Sequence, residues 1–254
     1  MRDKRVLIGD YTRKEFRERV ADGTFQAAIV PTAATEQHLE HLEMTHDTAS
    51  CTLVALEVAR ALHPQVVVSP TVAIGVSEHH LAHKGSLTVR VGIFLEYVFD
   101  ICDSISRGGI KNILILNGHG GNMHCLSQEQ VRFRQHTGAN IVYASYWDVF
   151  TEEEAFGLME SRSLPGHANE FETSFALAAF PERVHSEDMD DEDAKLGTTE
   201  KGEKSIEIAV RGVSNLIERM IAGETPPIEP HSFRPDGVKI GGHHFPYQAP
   251  RIET

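Results

Sequence analysis

The chain has 254 residues, 41% of them hydrophobic, a formal net charge of −13, three Cys and 15 His. That apolar content supports a full core and excludes wholesale disorder, the acidic balance argues against nucleic acid as the main partner, and no apolar run approaches the roughly 18 residues of a membrane helix. The charged start Met1-Arg2-Asp3-Lys4-Arg5, followed only by Val6-Leu7-Ile8, is no secretory signal, and Cys51, Cys102 and Cys125 read as reduced, mostly buried thiols of a cytoplasmic protein.

In chain order, Phe25 to Val30 is a short apolar run bounded by Gly23 and Pro31, the pattern of a buried strand. Asp47 to Leu62 lacks Gly and Pro and spaces Leu53, Leu56 and Ala59 as a helix does. Val66-Val67-Val68 predicts a second strand, closed by Pro70. Thr88 to Ser106 predicts a helix with Ile93, Tyr97, Ile101 and Ile105 on one face, stopped at Gly108-Gly109. Asn112 to Leu116 is the clearest strand; Gly120-Gly121 and a helix to about His136 follow, then a strand over Ile141 to Ala144. Helices are expected over Glu170 to Ala179 and Glu203 to Ile221, with a solvated acidic loop, Ser186 to Asp193, between them. From Pro226 the tail reads as irregular surface chain. Short apolar strands alternating with amphipathic helices indicate an α/β architecture with a mainly parallel sheet, and no linker divides residues 1–254 into separate domains.

Three polar clusters interrupt this pattern: Glu36-Gln37-His38 with His41 and His46-Asp47, then Asn117-Gly118-His119-Gly120-Gly121-Asn122, then Gly166-His167-Ala168-Asn169-Glu170-Phe171-Glu172-Thr173-Ser174. The first two follow predicted strands, and ligands of open parallel sheets bind at the carboxyl ends of strands. Glu36 and His38, one residue apart, point the same way in an extended segment. Asp47 has two oxygens with which to bridge two ions, His119 sits in a Gly-rich turn that can aim an imidazole, and Glu170 adds a carboxylate. Three carboxylates and two imidazoles suit a pair of divalent ions, Zn²⁺, Mn²⁺ or Fe²⁺, and hydrolytic chemistry. Each residue also has a local use: Asp47 as a helix cap, Glu36 as a helix N-terminal charge, Asn117-Gly118 as an ordinary turn. The Gly-rich turn lacks the Lys and Ser/Thr of a phosphate loop.

Taken in order, the three segments resemble the creatininase (creatinine amidohydrolase) family over roughly residues 27–180. Glu36-Gln37-His38-Leu39-Glu40-His41-Leu42 with Asp47 is similar to its first segment, and the runs from Asn117 and Gly166 are similar to its second and third. The resemblance implies a three-layer αβα fold with a mainly parallel central sheet, two divalent metal ions, and hydrolysis of a non-peptide C–N bond (amide, cyclic amide or formamide) of a small molecule by a hydroxide shared between the ions. It implies Glu36 and His119 as ligands of one metal, His38 of the other, and Asp47 as the bridge. Gly121 stands where creatininase has a carboxylate, so Glu170 is expected to supply the missing ligand. His167 resembles the proton shuttle and Glu172 a supporting acidic residue. A homo-oligomer, in many members a hexamer, is implied as well.

The run Ser77-Glu78-His79-His80-Leu81-Ala82-His83-Lys84-Gly85-Ser86 departs from the family's Ser-x-Glu-His-x-x-Phe-Pro-Gly-Thr at His79, His83 and Lys84. Read as a changed substrate pocket, it makes Ser77, His80 and Lys84, with Gly120, the substrate-facing candidates; Lys84 would meet an acidic group. Read blandly, it is a polar surface loop. Leu39 and His46 replace the usual Gly and Thr. A peptide-processing member of the family and a non-catalytic metal- or ligand-binding protein on the same fold are the alternatives.

Overall fold

The computed structural model describes residues 5–228 and the short strands at 231–232 and 240–241. Four strands, β1 (Ala27–Thr32), β2 (Val66–Val68), β3 (Asn112–Asn117) and β4 (Asn140–Ser145), form one sheet in the order β2-β1-β3-β4. Every pairing is parallel, with Ala27 opposite both Val66 and Asn112, and Asn112 opposite Asn140. The strands are apolar on both faces because both faces are covered, as parallel sheets require.

The helices are α1 (Arg13–Ala21), α2 (His46–Ala61), α3 (Val91–Arg107), α4 (Met123–Thr137), α5 (Glu152–Leu158), α6 (Glu170–Ala179) and α7 (Thr199–Ile221). The β1–β2 connection through α2 runs one way along the sheet, and those through α3 and α4 run the other. Right-handed crossovers of opposite direction place their helices on opposite faces. Accordingly α2, α6 and α7 pack together, and α3 packs on α4. Three layers result. The chain reverses direction between β1 and β3, so the carboxyl ends of these two central strands open the crevice where such sheets bind ligands.

Three differences from the sequence reading have physical reasons. β1 runs through Pro31 to Thr32. β2 ends at Val68, opposite Ile29, so no ladder partner meets the missing Pro31 N–H, while the Pro31 carbonyl still accepts from Val72 N at 2.9 Å. Helix α3 buries Phe94, Val98, Cys102 and Ile105, whereas Ile93 and Tyr97, expected on its apolar face, are 48% and 57% exposed. Two apolar stripes compete on this helix, and packing against α4 selects the one with Phe94. Helices α1 and α5 are additions. Both open on a reciprocal capping box, Thr12 with Glu15 and Thr151 with Glu154, and bury at most one residue, so periodicity gave no sign of them.

The acidic run after Ser186 lies largely in solvent. In the tail, residues 226–228 are irregular as expected, whereas β5 (His231–Ser232) and β6 (Ile240–Gly241) pair antiparallel; the rest of that tail falls outside the described residues. Cys51, Cys102 and Cys125 are free thiols, the first two buried. No helix among the described residues is long and apolar enough to cross a membrane.

Candidate metal centre

Beyond β1 the chain turns over residues 33–45 and re-enters as α2. Glu36 N donates to Met44 O at 3.0 Å, and Leu42 N donates to His38 O, which folds the segment back on itself. The turn needs a left-handed residue at its tip. Leu39 adopts it at φ 52°, where the related segments have Gly, and its N–H donates to Gln37 Oε1 at 3.0 Å. Glu36, His38 and Asp47 are all buried; Asp47 lies in the first turn of α2 and points its carboxylate back at the crevice instead of capping the helix.

From β3, Asn117 anchors the second loop. Its amide donates to His119 O (2.7 Å) and Ser145 Oγ (3.1 Å), and its carbonyl accepts from His119 N and Asn122 Nδ2, each at 3.2 Å. A Cβ on Gly118 would stand 2.5 Å from the Cys51 Cβ, so α2 can approach this loop only because the residue is glycine. The loop thereby delivers His119 to Asp47.

Two imidazoles meet one carboxylate there. His119 Nε2 lies 3.1 Å from Val76 O, which can only accept, so Nε2 carries the hydrogen and Nδ1 presents a lone pair. That lone pair faces Asp47 Oδ2 at 3.0 Å and Glu36 Oε1 at 3.3 Å. His38 repeats the arrangement with its nitrogens exchanged. Nδ1 donates to Glu36 O at 3.1 Å, and Nε2 faces Asp47 Oδ1 at 3.0 Å and Glu172 Oε2 at 3.8 Å. Each lone pair thus points at two carboxylates, and a positive charge must lie between them, either a second ring proton or a cation. In the cation-free protein the proton takes that place. His119 is raised well above its ordinary pKa and His38 to about 9, because the facing carboxylates outweigh burial. Glu36 Oε2 is buried without a hydrogen-bond partner, and three carboxylates converge on two imidazoles. These residues fit divalent ions: hard oxygens, borderline nitrogens, and carbonyls that fix each ring's tautomer.

Glu172, and not Glu170, faces the crevice. The Glu170 carboxylate is turned away from the crevice. It accepts from Ser161 N (2.7 Å) and Glu160 N (3.1 Å) and pairs with Lys201 Nζ at 2.5 Å. Burial opposes its ionisation, but Lys201 and the two N–H groups prevail and hold it below the usual carboxylate range. The reason is helical geometry: residues 170 and 172 of α6 point roughly 200° apart around the axis, so only one can face the loop after β1 that carries His38. Glu172 does so, accepting a short hydrogen bond from Ala168 N. Burial, reinforced by Asp47, raises its carboxyl to about 8 in the cation-free protein although His38 pulls the other way.

Over this pair lies a rim of imidazoles. Gln37, whose orientation the Leu39 N–H fixes, donates from Nε2 to His80 Nδ1 (2.9 Å) and His167 Nε2 (2.7 Å). That leaves His80 Nε2 and His167 Nδ1 as the N–H sides, 3.6 and 3.8 Å from Glu36 Oε1. His167 stacks on His80 at 4.4 Å and leans on His38 at 4.6 Å; burial first, then the neighbouring imidazoles, push it down to about 3. Gln37 was legible only as the residue between Glu36 and His38.

Of the substrate-facing candidates, His80 reaches the centre. Ser77 is buried behind it, with Oγ 3.2 Å from His119 Nε2, and supports that ring instead of facing a pocket. Beside Gly120 a Cβ would meet open space. Lys84 is exposed, and no contact among the described residues ties it to the centre.

Fold and cluster together are those of an α/β enzyme whose carboxylates and imidazoles converge at a sheet switch point. The sequence matches the creatininase family, described as creatinine amidohydrolase, over residues 9–215. Creatinine amidohydrolase of Pseudomonas putida is 25% identical over 84% of this chain and 96% of its own. Among solved structures, a creatininase superposes with a TM-score of 0.78 at 25% identity, covering 89% of this chain and all of the other. A manganese form of creatininase gives 0.76 at 25% identity over 88% of this chain and all of the other. The chain belongs to the creatininase family, and on that ground is a hydrolase.

Proposed function

We propose that this protein is a metal-dependent amidohydrolase that cleaves a non-peptide C–N bond (an amide, cyclic amide or formamide) in a small molecule. One observation carries the reading: two buried imidazoles, each with its tautomer set by a backbone carbonyl, turn their lone pairs onto opposite oxygens of Asp47. Glu36, Asp47 and His119 would hold one divalent ion, and His38, Asp47 and Glu172 the other. Such a pair, when bound, supplies Lewis acidity toward a carbonyl and toward water.

The chain's own residues do the rest. Asp47 holds the two halves of the centre at a fixed separation, and the Val76 and Glu36 carbonyls keep the rings from rotating. His167 would be the proton shuttle: substrate that draws the Gln37 amide away frees the His167 Nε2 lone pair to accept a proton and return it to the departing nitrogen. Until then Gln37 holds His167 and His80 in register through that same nitrogen and His80 Nδ1. The open space beside Gly120 admits the substrate. Support for C–N chemistry comes from the creatinine amidohydrolase relative, and support for the metals from the manganese form of creatininase.

The test is amine or ammonia release from a panel of small amides, lactams and formamides, with Mn²⁺- or Zn²⁺-loaded and chelated protein. Turnover that needs the metal and falls at least about a thousandfold in Asp47→Asn is expected. Cleavage of short peptides alone would establish the peptide-processing alternative, and metal binding without turnover on either panel the non-catalytic one.

A further inference from the structure

We infer that His79 is an additional metal ligand, joining Glu36, Asp47 and His119 at one of the two cation positions; this rests on the two-cation reading above. Glu36, His79 and His119 can each offer one ligand atom such that the three lie within 4.8 Å of one another. The His79 ring lies parallel to that of His119, 11° apart with centroids at 5.8 Å, and against His80 at 4.2 Å. Neither His79 nitrogen has a hydrogen-bond partner among the described residues, so no local bond explains why the ring sits over the centre.

The backbone is built to bring it there. His79 is the middle residue of a single 3-10 turn, Glu78–His80, whose flanks are both engaged: Ser77 touches His119, and His80 touches Glu36. Gly121 makes the room. A Cβ at that position would fall 2.1 Å from Val76 O, 2.5 Å from His119 Nε2 and 2.9 Å from His79 Cε1, so only glycine lets the Val76 carbonyl, the His119 ring and the His79 ring meet over this loop. Donors around one ion at metal–nitrogen distances of about 2.0–2.1 Å sit roughly 3.4 Å apart. Closing from at most 4.8 Å asks for a movement of no more than about 1.4 Å, within reach of a side chain whose outer edge is in solvent.

A consequence follows for the reaction. With His79, the Glu36 position has four protein ligands, a closed set of the kind that holds an ion tightly. The His38 position has three, the count that leaves a place for substrate. The two ions are then unequal, and the exchangeable, open one lies beside His167.

The experiment is a titration of metal-free protein with Co²⁺, read by equilibrium dialysis and by the visible absorption of the bound ion. Wild type should bind two ions whose affinities differ at least tenfold. In His79→Gln the tighter ion should weaken at least tenfold and change its absorption, while the weaker ion is unaltered. A second reading needs no variant: hyperfine-shifted imidazole proton signals in Co²⁺-loaded wild type should come from three histidines, His38, His119 and His79. Unchanged affinities and spectrum in His79→Gln, or shifted signals from two histidines, overturn the inference and leave the two-cation reading standing. Lost turnover with intact Co²⁺ binding also overturns it, making His79 a substrate contact. Wild type that binds no Co²⁺ overturns both.

Discussion

At the scale of single residues, the third motif shows what a sequence can and cannot assign. Glu170 and Glu172 share a helical turn and a charge, and nothing in their spelling tells which faces the crevice. Packing decides, because α6 turns Glu172 toward His38 in the loop after β1 and Glu170 toward Lys201 of α7. The assignment is open to direct measurement. Glu172→Gln should bind one divalent ion per chain where wild type binds two, by inductively coupled plasma mass spectrometry; Glu170→Gln should still bind two. Glu170→Gln should instead lower stability by about 2 kcal/mol, since it removes a charged acceptor from Lys201 and two backbone N–H groups. Glu36, His38, Asp47 and His119 were legible because each stands at a strand end or helix start, where the topology gathers side chains. Gln37 and His79 were not, since their work depends on loop segments touching that lie far apart in the chain.

Among the elements, the strands were read to within a residue or two because their apolar runs are short and bounded. The helices divided by how much they bury. Those that cover the sheet announced themselves by period, whereas α1 and α5 carry only a capping box and a polar surface. Helix α3 shows the limit of period alone, since it has two candidate faces. Its buried side and the central strand should respond as packed cores do: Leu114→Ala, at a fully buried β3 position, should cost about 2–5 kcal/mol in a denaturant titration. The thiols report the same burial. Desolvation pushes Cys102 up to about 12 and Cys125 up to about 11, and Cys51 higher still, so the thiolate is scarce at pH 8. Ellman's reagent should label no thiol in the native protein within minutes and three after denaturation. Rapid native labelling would mean that α2, α3 or α4, which carry Cys51, Cys102 and Cys125, opens readily.

For the molecule as a whole, the proposed two-cation centre would couple folding to cation binding. Five ionisable groups, Glu36, His38, Asp47, His119 and Glu172, are buried within one crevice and balance only with positive charge between them. In the cation-free protein that charge is protons. Because His38 is raised from its ordinary 6.5 to about 9, its contribution is complete below about pH 6.5 and is lost as pH climbs through 9. Chelated protein should therefore lose melting temperature between pH 7 and 9 by differential scanning calorimetry. Metal-loaded protein should not, since ions in place of protons remove the dependence. Equal slopes for the two forms would contradict this coupling. The most direct test of the central claim is an anomalous difference map from crystals grown with Zn²⁺ or Mn²⁺. Two peaks about 3.5–4 Å apart, on either side of Asp47 with Glu172 against the second, are predicted. A single peak or none, with Asp47 still bonded to protonated His38 and His119, would contradict it.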